Sequence, residues 1–329
     1  MERRLTSSIW TPASSTSDAA VPGLLFHENW WLSAATAGNW RETTVSHDGR
    51  VVARLPYVTR VQLGLTRIQM PPFTPVLGPI VDSGDGKPQT QLARRLSLVR
   101  KLLDQLPRFD QFVTILDSES DGLAFRSHGF QLSPRYNCEI DCRRDVDDIW
   151  KGMNYRLRQN IRRAQEKFKV APVLEPQAFI DFYVGALKGN GLRNTEDFSN
   201  FCHLFQEASR RDSGEILCAY WHDGRPAAMI FTVWDNRSAY YLSSMRAGDE
   251  GDNGSICLLI WSALRQAHER GLVFDFLGMS TSGRAKLYVG FGGTPGIHIV
   301  AQRASWRFEG LEWARQGLAW TRHIPALGR

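Results

Sequence analysis

No apolar run in this sequence approaches the roughly 18–20 residues that a membrane-crossing helix needs, so no integral membrane association is expected. Behind Met1-Glu2-Arg3-Arg4 lies a Ser/Thr/Ala/Pro stretch to Pro22. It lacks the apolar core of about 7–15 residues that a secretory signal carries. Residues 1–22 are therefore expected to be a disordered tail, and the chain to be cytoplasmic. Cysteine is scarce, with five (138, 142, 202, 218 and 257) among 329 residues. The count is odd, and no Cys-x-x-Cys pair or Cys/His cluster has zinc-ligand spacing. Cys138 and Cys142 fall in one expected strand, where four residues span about 13 Å, too far to bridge. All five are read as reduced packing residues, and no metal site is expected. A GxSxG elbow, a Walker loop and an HExxH motif are also missing.

A general excess of one charge is absent too. The chain carries 40 basic and 34 acidic side chains, an excess of six. Residues 151–169 hold seven basic residues against Glu166 alone, so the rest is balanced, 33 against 33. A neutral protein with one basic segment has no broad DNA-binding face; any nucleic-acid contact is confined to that locus. The 43% hydrophobic and 22% charged residues are those of a folded chain long enough for two domains.

What is present is a repeat. His-Asp-Gly-Arg occurs at 47–50 and again at 222–225. Each copy lies between β-rich runs, and Asp-Gly favours the positive φ angles of a hairpin turn. After the first copy come an expected helix (91–106), a strand (109–116), a short helix ending at His128-Gly129-Phe130, and a strand (135–141). After the second come a strand (239–245), a helix (255–270), a strand (272–277), a short helix ending at Val289-Gly290-Phe291, and a strand (297–302). The Gly-Phe pairs are 161 residues apart and the hairpins 175; the first copy carries extra residues, mostly the Pro-rich loop 70–79. In the 255–270 helix Ile256, Leu259, Ile260, Ala263, Leu264 and Ala267 share one face at the 3.6-residue period.

The second copy has a longer helical preface: one amphipathic helix over 145–168, then helices over 176–188 and 195–210. The first copy has only a short one, over 28–36. The expected organisation is an α/β (α+β) chain of two units, each a mixed, mostly antiparallel sheet with packed helices. The first, truncated unit spans 23–142, the second, complete unit 143–308, and a C-terminal helix or tail 309–329.

Strand–hairpin–strand–helix–strand–helix–strand resembles the core of GNAT acyltransferases. The paired units and the segment Trp150…Arg156-x-x-x-Asn160-Ile161-Arg162-Arg163-Ala164 resemble the Fem-type branch of that superfamily. So does Phe274-Asp275-Phe276-x-Gly278…Phe291-Gly292. The resemblance spans about 25–306. It implies an acyltransferase with no tightly bound cofactor that takes an acyl or aminoacyl group from acyl-CoA or aminoacyl-tRNA. It also implies an acceptor amine on a small molecule, a sugar or a cell-envelope precursor. In acyl-CoA users of the family a Gly-rich loop and helix N-terminus hold the pyrophosphate. The equivalent stretch here, Arg246-Ala247-Gly248-Asp249-Glu250-Gly251-Asp252-Asn253-Gly254 before Ser255, has altered spacing and three carboxylates. Arg246, Gly254 and Ser255 are the candidate donor contacts, and the acids count against the usual acetyl-CoA mode.

Among the other candidates, Asp275 ends a strand, as a base for the acceptor amine or as a cap for the residues that follow. Tyr240, Tyr241 and Ser243 alternate on the strand that would hold the acyl carbonyl. One tyrosine should pack in the core and the other line the cleft. On the 145–168 helix Arg156 and Arg163 lie at the edge of the apolar stripe, placed for an anion, with Asn160 between them. Lys151, Arg158, Arg162 and Lys169 lie opposite, as a solvated face. Arg193, Gly278 and Lys286 complete the expected substrate contacts, although a polar loop explains Arg193 better and a surface helix explains Lys286 as well. The other functional class consistent with this pattern is a non-catalytic binding module that engages tRNA or another anionic partner through the basic helix over 151–169.

Overall fold

The computed structural model describes residues 23–248 and 254–321, with side chains as far as 313. The expected tail 1–22 and the acids Asp249, Glu250 and Asp252 lie outside the described residues. A 3-10 turn (Leu25–His27) leads into α1 (Asn29–Thr36). The first half continues through β1 (Arg41–His47), β2 (Arg50–Gln62), β3 (Leu65–Gln69), β4 (Ile80–Val81), α2 (Pro88–Asp104), β5 (Gln111–Leu116), α3 (Asp121–Ser127) and β6 (Gln131–Asp141). The second half opens with α4 (Val146–Gly152), α5 (Tyr155–Lys167), β7 (Phe168–Pro172), α6 (Pro176–Gly189) and α7 (Phe201–Arg210). Then come β8 (Gly214–Trp221), β9 (Pro226–Trp234), β10 (Ser238–Arg246), α8 (Ser255–Glu269), β11 (Val273–Asp275), α9 (Ser282–Gly290), β12 (Thr294–Ala304) and α10 (Trp306–Thr321).

Both His-Asp-Gly-Arg copies sit at hairpin tips in the same place of their halves, β1–β2 and β8–β9. Their turns differ. His47 pairs with Arg50, so Asp48 (φ 50°) and Gly49 (φ 78°) form a two-residue turn with both φ angles positive. In the second copy only Gly224 (φ 87°) is left-handed, and Trp221 N–H bonds to the Arg225 carbonyl, which gives a three-residue loop. Identical residues thus serve two hairpin geometries.

All twelve described strands form one sheet, in the order β1-β2-β3-β5-β12-β6-β11-β10-β9-β8-β7, with β4 beside β2. Only β3–β5 and β10–β11 are parallel. The last strand of each half sits in the sheet of the other: β12 lies between β5 and β6, and β6 between β12 and β11. Exchanging β3 with β10, β5 with β11 and β6 with β12 turns the central order into its own reverse. The two GNAT-like units are therefore related by a pseudo-two-fold at the β6–β12 pair.

Three apolar cores flank this sheet. One packs α2 and α3 on the first half, through Val99, Leu102, Phe112, Phe125 and Phe130. A second packs α5 and α8 on one face of the second half, and includes the whole apolar stripe of α8 except the half-buried Ile256. The third covers the opposite face with α1, α6 and α7, where Phe26 and Trp31 from the first half meet Phe201, Phe231 and Tyr240. Each buried Leu or Ile contributes about 1.5–3 kcal/mol. Cys138, Cys142, Cys218 and Cys257 are buried free thiols and Cys202 is a half-buried one.

Two expected helices differ, and β3, β4 and β7 were not expected. The 145–168 helix is broken into α4 and α5 because the Asn154 side chain accepts the Leu157 N–H at 2.8 Å and caps a new helix, while Met153 is extended and buried. Phe168 then opens β7 rather than closing the helix. The helix expected over 195–210 starts only at Phe201, because Asn194 and Asp197 accept N–H bonds two residues on and hold a loop instead. β3 was not foreseen; its buried Leu65 and Ile68 are too few to announce a strand.

The strand exchange predicts that fragments 1–142 and 143–329, split at the expected boundary, fail to melt cooperatively alone and recover a single transition when co-expressed. Thermal unfolding checks this; two independently folding fragments would show that the exchange is dispensable.

Candidate active site

The cleft begins where a parallel strand pair separates. β10 and β11 pair through Ser238↔Val273, Ala239↔Phe274 and Tyr240↔Asp275 and no further. Asp275 brings this about locally: its Oδ1 accepts the Leu277 N–H at 2.7 Å, and Leu277 takes a left-handed φ of 63°, which turns the chain away. The chain then follows β6, with Phe276 N–H bonded to the Cys138 carbonyl and Met279 N–H to the Tyr136 carbonyl. β10 stays with β9 as far as Arg246, with a bulge at Leu242. Between the parted strands opens a cleft of about 890 Å³. Tyr241, Ser243 and Ser244 form one wall and residues 276–280 the other. The first half supplies a third side through residues 69–75 of the Pro-rich loop, and α6, α9 and the loop 195–197 close it.

Asp275 is the last β11 residue paired with β10, is 5% exposed, and adjoins the lining residues Phe276, Leu277 and Gly278 in sequence without lining the cleft itself. Burial pushes its carboxyl up to about 7, with the neighbouring Glu139 charge adding to the rise, while the Leu277 N–H and Asn137 act against it. Asn137, from β6 of the first half, bonds Glu139 at 2.9 Å and lies 3.5 Å from the Asp275 oxygen. A carboxyl in this range exchanges protons with an amine near neutral pH, directly or through one water.

The structure separates the two tyrosines. Tyr240 turns to the opposite face, where its hydroxyl donates to Asp235 Oδ2 at 3.1 Å and its ring lies 4.8 Å from Phe26. Tyr241 lines the cleft beside Phe276 and Tyr288. Ser243 and Gly278 are also in the wall. The other expected residues are not gathered there. Arg156 and Arg163 are exposed on α5, outside the cleft. Arg158, half-buried, donates to the Lys151 carbonyl at 2.9 Å, and Arg162, exposed as expected, lies 5.6 Å from the Trp150 ring centre, so both also touch α4. Arg193 and Lys286 are exposed and away from the cleft, whereas Arg284, on the same helix as Lys286, is in its wall. Asn160 packs through its backbone: a Cβ on Gly254 (φ 79°) would stand 3.0 Å from the Asn160 carbonyl. α5 thus seals the start of α8, with Ser255 fully buried and Arg246 half-buried at the far end of β10.

Arg60, Arg135 and Asn137 were missed by sequence reasoning. A signal existed on β6, where Arg135, Asn137 and Glu139 alternate with the buried Cys138, Ile140 and Cys142: one polar face on a strand covered on both sides. Among the described residues no group of three or more His, Cys, Asp or Glu side chains is placed to hold a metal ion, and no helix is long and apolar enough to cross a membrane.

Residues 153–285, within the second half, match the family model described as the acetyltransferase (GNAT) domain. Among solved structures the chain is similar to FemX, with 13% identity, TM-score 0.63, and 84% of this chain and 92% of that one covered. It is also similar to a tandem GNAT protein from the clavulanic acid biosynthesis pathway (11%, TM-score 0.52, 89% and 91%). A third is the C-terminal domain of a putative lysylphosphatidylglycerol synthetase from Agrobacterium fabrum (14%, TM-score 0.53, 85% and 89%). At such identities the likeness is one of fold, and it is the Fem-type tandem fold. No curated protein matches the sequence.

The Asp275 environment predicts a stability change with a definite sign. The folded form holds this proton more tightly than an unfolded carboxyl titrating near 3.8, so stability is greatest at low pH and falls as pH rises to about 7. Asp275→Asn keeps the oxygen that accepts the Leu277 N–H and removes the charge. It should gain on the order of 4 kcal/mol at pH 8.5 and roughly half that at pH 5.5. Melts at the two pH values check this; an equal shift at both would rule out the carboxyl as its source.

Proposed function

We propose that the protein transfers an acyl or aminoacyl group from a thioester or aminoacyl-tRNA donor to an amine of a small molecule, sugar or cell-envelope precursor, in the cytoplasm. The observation that carries this reading is the parting of β10 from β11 beside the Leu242 bulge. It leaves strand backbone groups facing a cleft, where N–H donors could stabilise the oxyanion of an acyl-transfer intermediate. Tyr241, Ser243 and Gly278 line the reacting region. Asp275 takes the acceptor's proton through one water, and Tyr240 holds the neighbouring hairpin. Arg246, Gly254 and Ser255 mark the donor end, where the acids at 249, 250 and 252 disfavour a pyrophosphate. At about 6 Å and an effective dielectric near 20, each acid repels a unit charge by roughly 2–3 kcal/mol, against at most about 2 kcal/mol from the helix dipole.

A tRNA-borne donor has its own support. Among the described residues, none of the seven basic side chains of 151–169 forms an ion pair with a carboxylate, and α5 packs on the start of α8, next to the donor end. A tRNA-engaging module without catalysis would use the same surface.

Turnover assays with acyl-CoA and aminoacyl-tRNA donors over an amine panel test the reading. Asp275→Asn should lower kcat by about 10²–10⁴-fold, and the wild-type rate should rise through about pH 7 as the carboxyl ionises. An unchanged rate in the variant removes Asp275 from the chemistry, and no turnover with any donor removes the enzyme reading. A tRNA donor predicts binding that weakens steeply between about 50 and 200 mM salt. Changing the three acids to Asn or Gln should strengthen acetyl-CoA binding in calorimetry; unchanged micromolar affinity would show that the loop does not oppose it.

A further inference from the structure

Three arginines line the cleft, and they differ in what they touch. Arg60, on β2, is paired with Asp197 at 3.0 Å. Arg284, on α9, donates to the Ser280 hydroxyl at 3.1 Å. Arg135, on β6, makes no hydrogen bond and no ion pair among the described residues, although it is half-buried. Its guanidinium lies along Gly278: a Cβ there would stand 3.2 Å from Nη2. The absence of a side chain at 278 lets the guanidinium lie flat against the wall. Burial depresses its pKa, and the nearby Asp275 charge acts against that. The guanidinium still stays protonated, because its delocalised charge is kept throughout the pH range in which proteins fold.

A partly desolvated guanidinium whose donors no protein group accepts is stabilised by a ligand that accepts from them. Arg135 therefore presents a fork of donors, unused by protein acceptors, to a substrate-sized space. The charge of the missing group follows from its surroundings. Glu196 and Asp197 also line the cleft, Asp197 already neutralises Arg60, and Asp275 lies close behind. With Arg284 counted, three arginines face Glu196 and Asp197 in the lining, a net charge of plus one, which a dianion such as a phosphate monoester would overshoot. A planar monoanion meets the fork bidentately with matched charge.

We propose that Arg135 is the carboxylate anchor of the cleft, so that the acceptor is an amine that itself bears a carboxylate, an amino acid or an amino acid-like compound. Its carboxylate lies on Arg135 beside Gly278, and its amine is directed to the parted β10–β11 strands. The acceptor role rests on the transferase reading; the anion subsite does not.

Calorimetric titration of the full chain without donor separates the two, using a panel of free amino acids and the matching carboxamides as probes. At least one free acid should bind, its carboxamide at least tenfold more weakly. Arg135→Gln should lose at least tenfold for the acid and level the acid with the amide. Arg135→Lys keeps the charge but not the fork and should fall between; it carries the test if melting shows Arg135→Gln to be unfolded. Failure of every acid to bind, equal binding of acids and amides, or discrimination that persists in the variants overturns the proposal. Inorganic phosphate binding more tightly than acetate, in an Arg135-dependent way, overturns the choice of carboxylate. Intact acid binding with no turnover from any donor would sink the transferase reading and leave the subsite standing. Turnover indifferent to the carboxylate would do the opposite.

Discussion

The antiparallel pairing of β6 with β12, from Glu139↔Thr294 to Gln131↔Gln302, is the constraint on which the rest of the structure depends. Each strand is the last element of its own half and an interior strand of the other's sheet. Without β6, β11 would lose its only antiparallel neighbour, and three residues of parallel pairing with β10 would be a weak edge. The parting of β10 and β11 is affordable only because β6 takes up β11 and the chain beyond it on the other side. The cleft is thus a property of the joined halves.

That dependence gives the first half a chemical role despite its shorter helical content. Arg135, Asn137 and Glu139 all reach the second half's strand end from β6, and residues 69–75 wall the cleft from the same half. The proton affinity of Asp275 is set by this borrowed strand: burial raises it, Glu139 adds to it, and Asn137 tempers it. A strand-end cap and a proton acceptor need not be alternatives here. Oδ1 accepts the Leu277 N–H that turns the chain, and the same carboxyl is poised near neutrality.

Much of the fold was legible because it is written in local patterns. The duplicated His-Asp-Gly-Arg tips, the stripe of α8 and the order of elements depend on neighbours within one or two turns, and those were read. The exchange of β6 and β12 was not, because either strand satisfies the same period-two pattern in its own sheet or in the other's. Asn154 was passed over for a related reason: in a helical stripe a lone polar residue reads as surface, whereas as a cap it satisfies an N–H that otherwise has no partner. Tyr240 and Tyr241 could be assigned to opposite faces but not to named ones until Phe26 and Asp235 were seen to claim the first.

The placement of anion affinity follows from dielectric rather than from the number of charges. Seven basic residues crowd 151–169, yet Arg156 and Arg163 are exposed, and in water a unit charge at 4 Å is worth about 1 kcal/mol and salt screens it beyond about 8–10 Å. Helical phase put these two at the edge of the apolar stripe, but an edge position reaches a cleft only if the cleft lies beside that helix. Here it opens across the sheet, where β10 leaves β11. Arg135, a single charge on a strand, stands in surroundings where the same interaction is worth several times more. A long-range, salt-sensitive attraction and a short-range, orienting one are thereby assigned to different surfaces of the chain. In the proposed scheme large polyanions would meet α5 on the outside, and a small anion β6 inside.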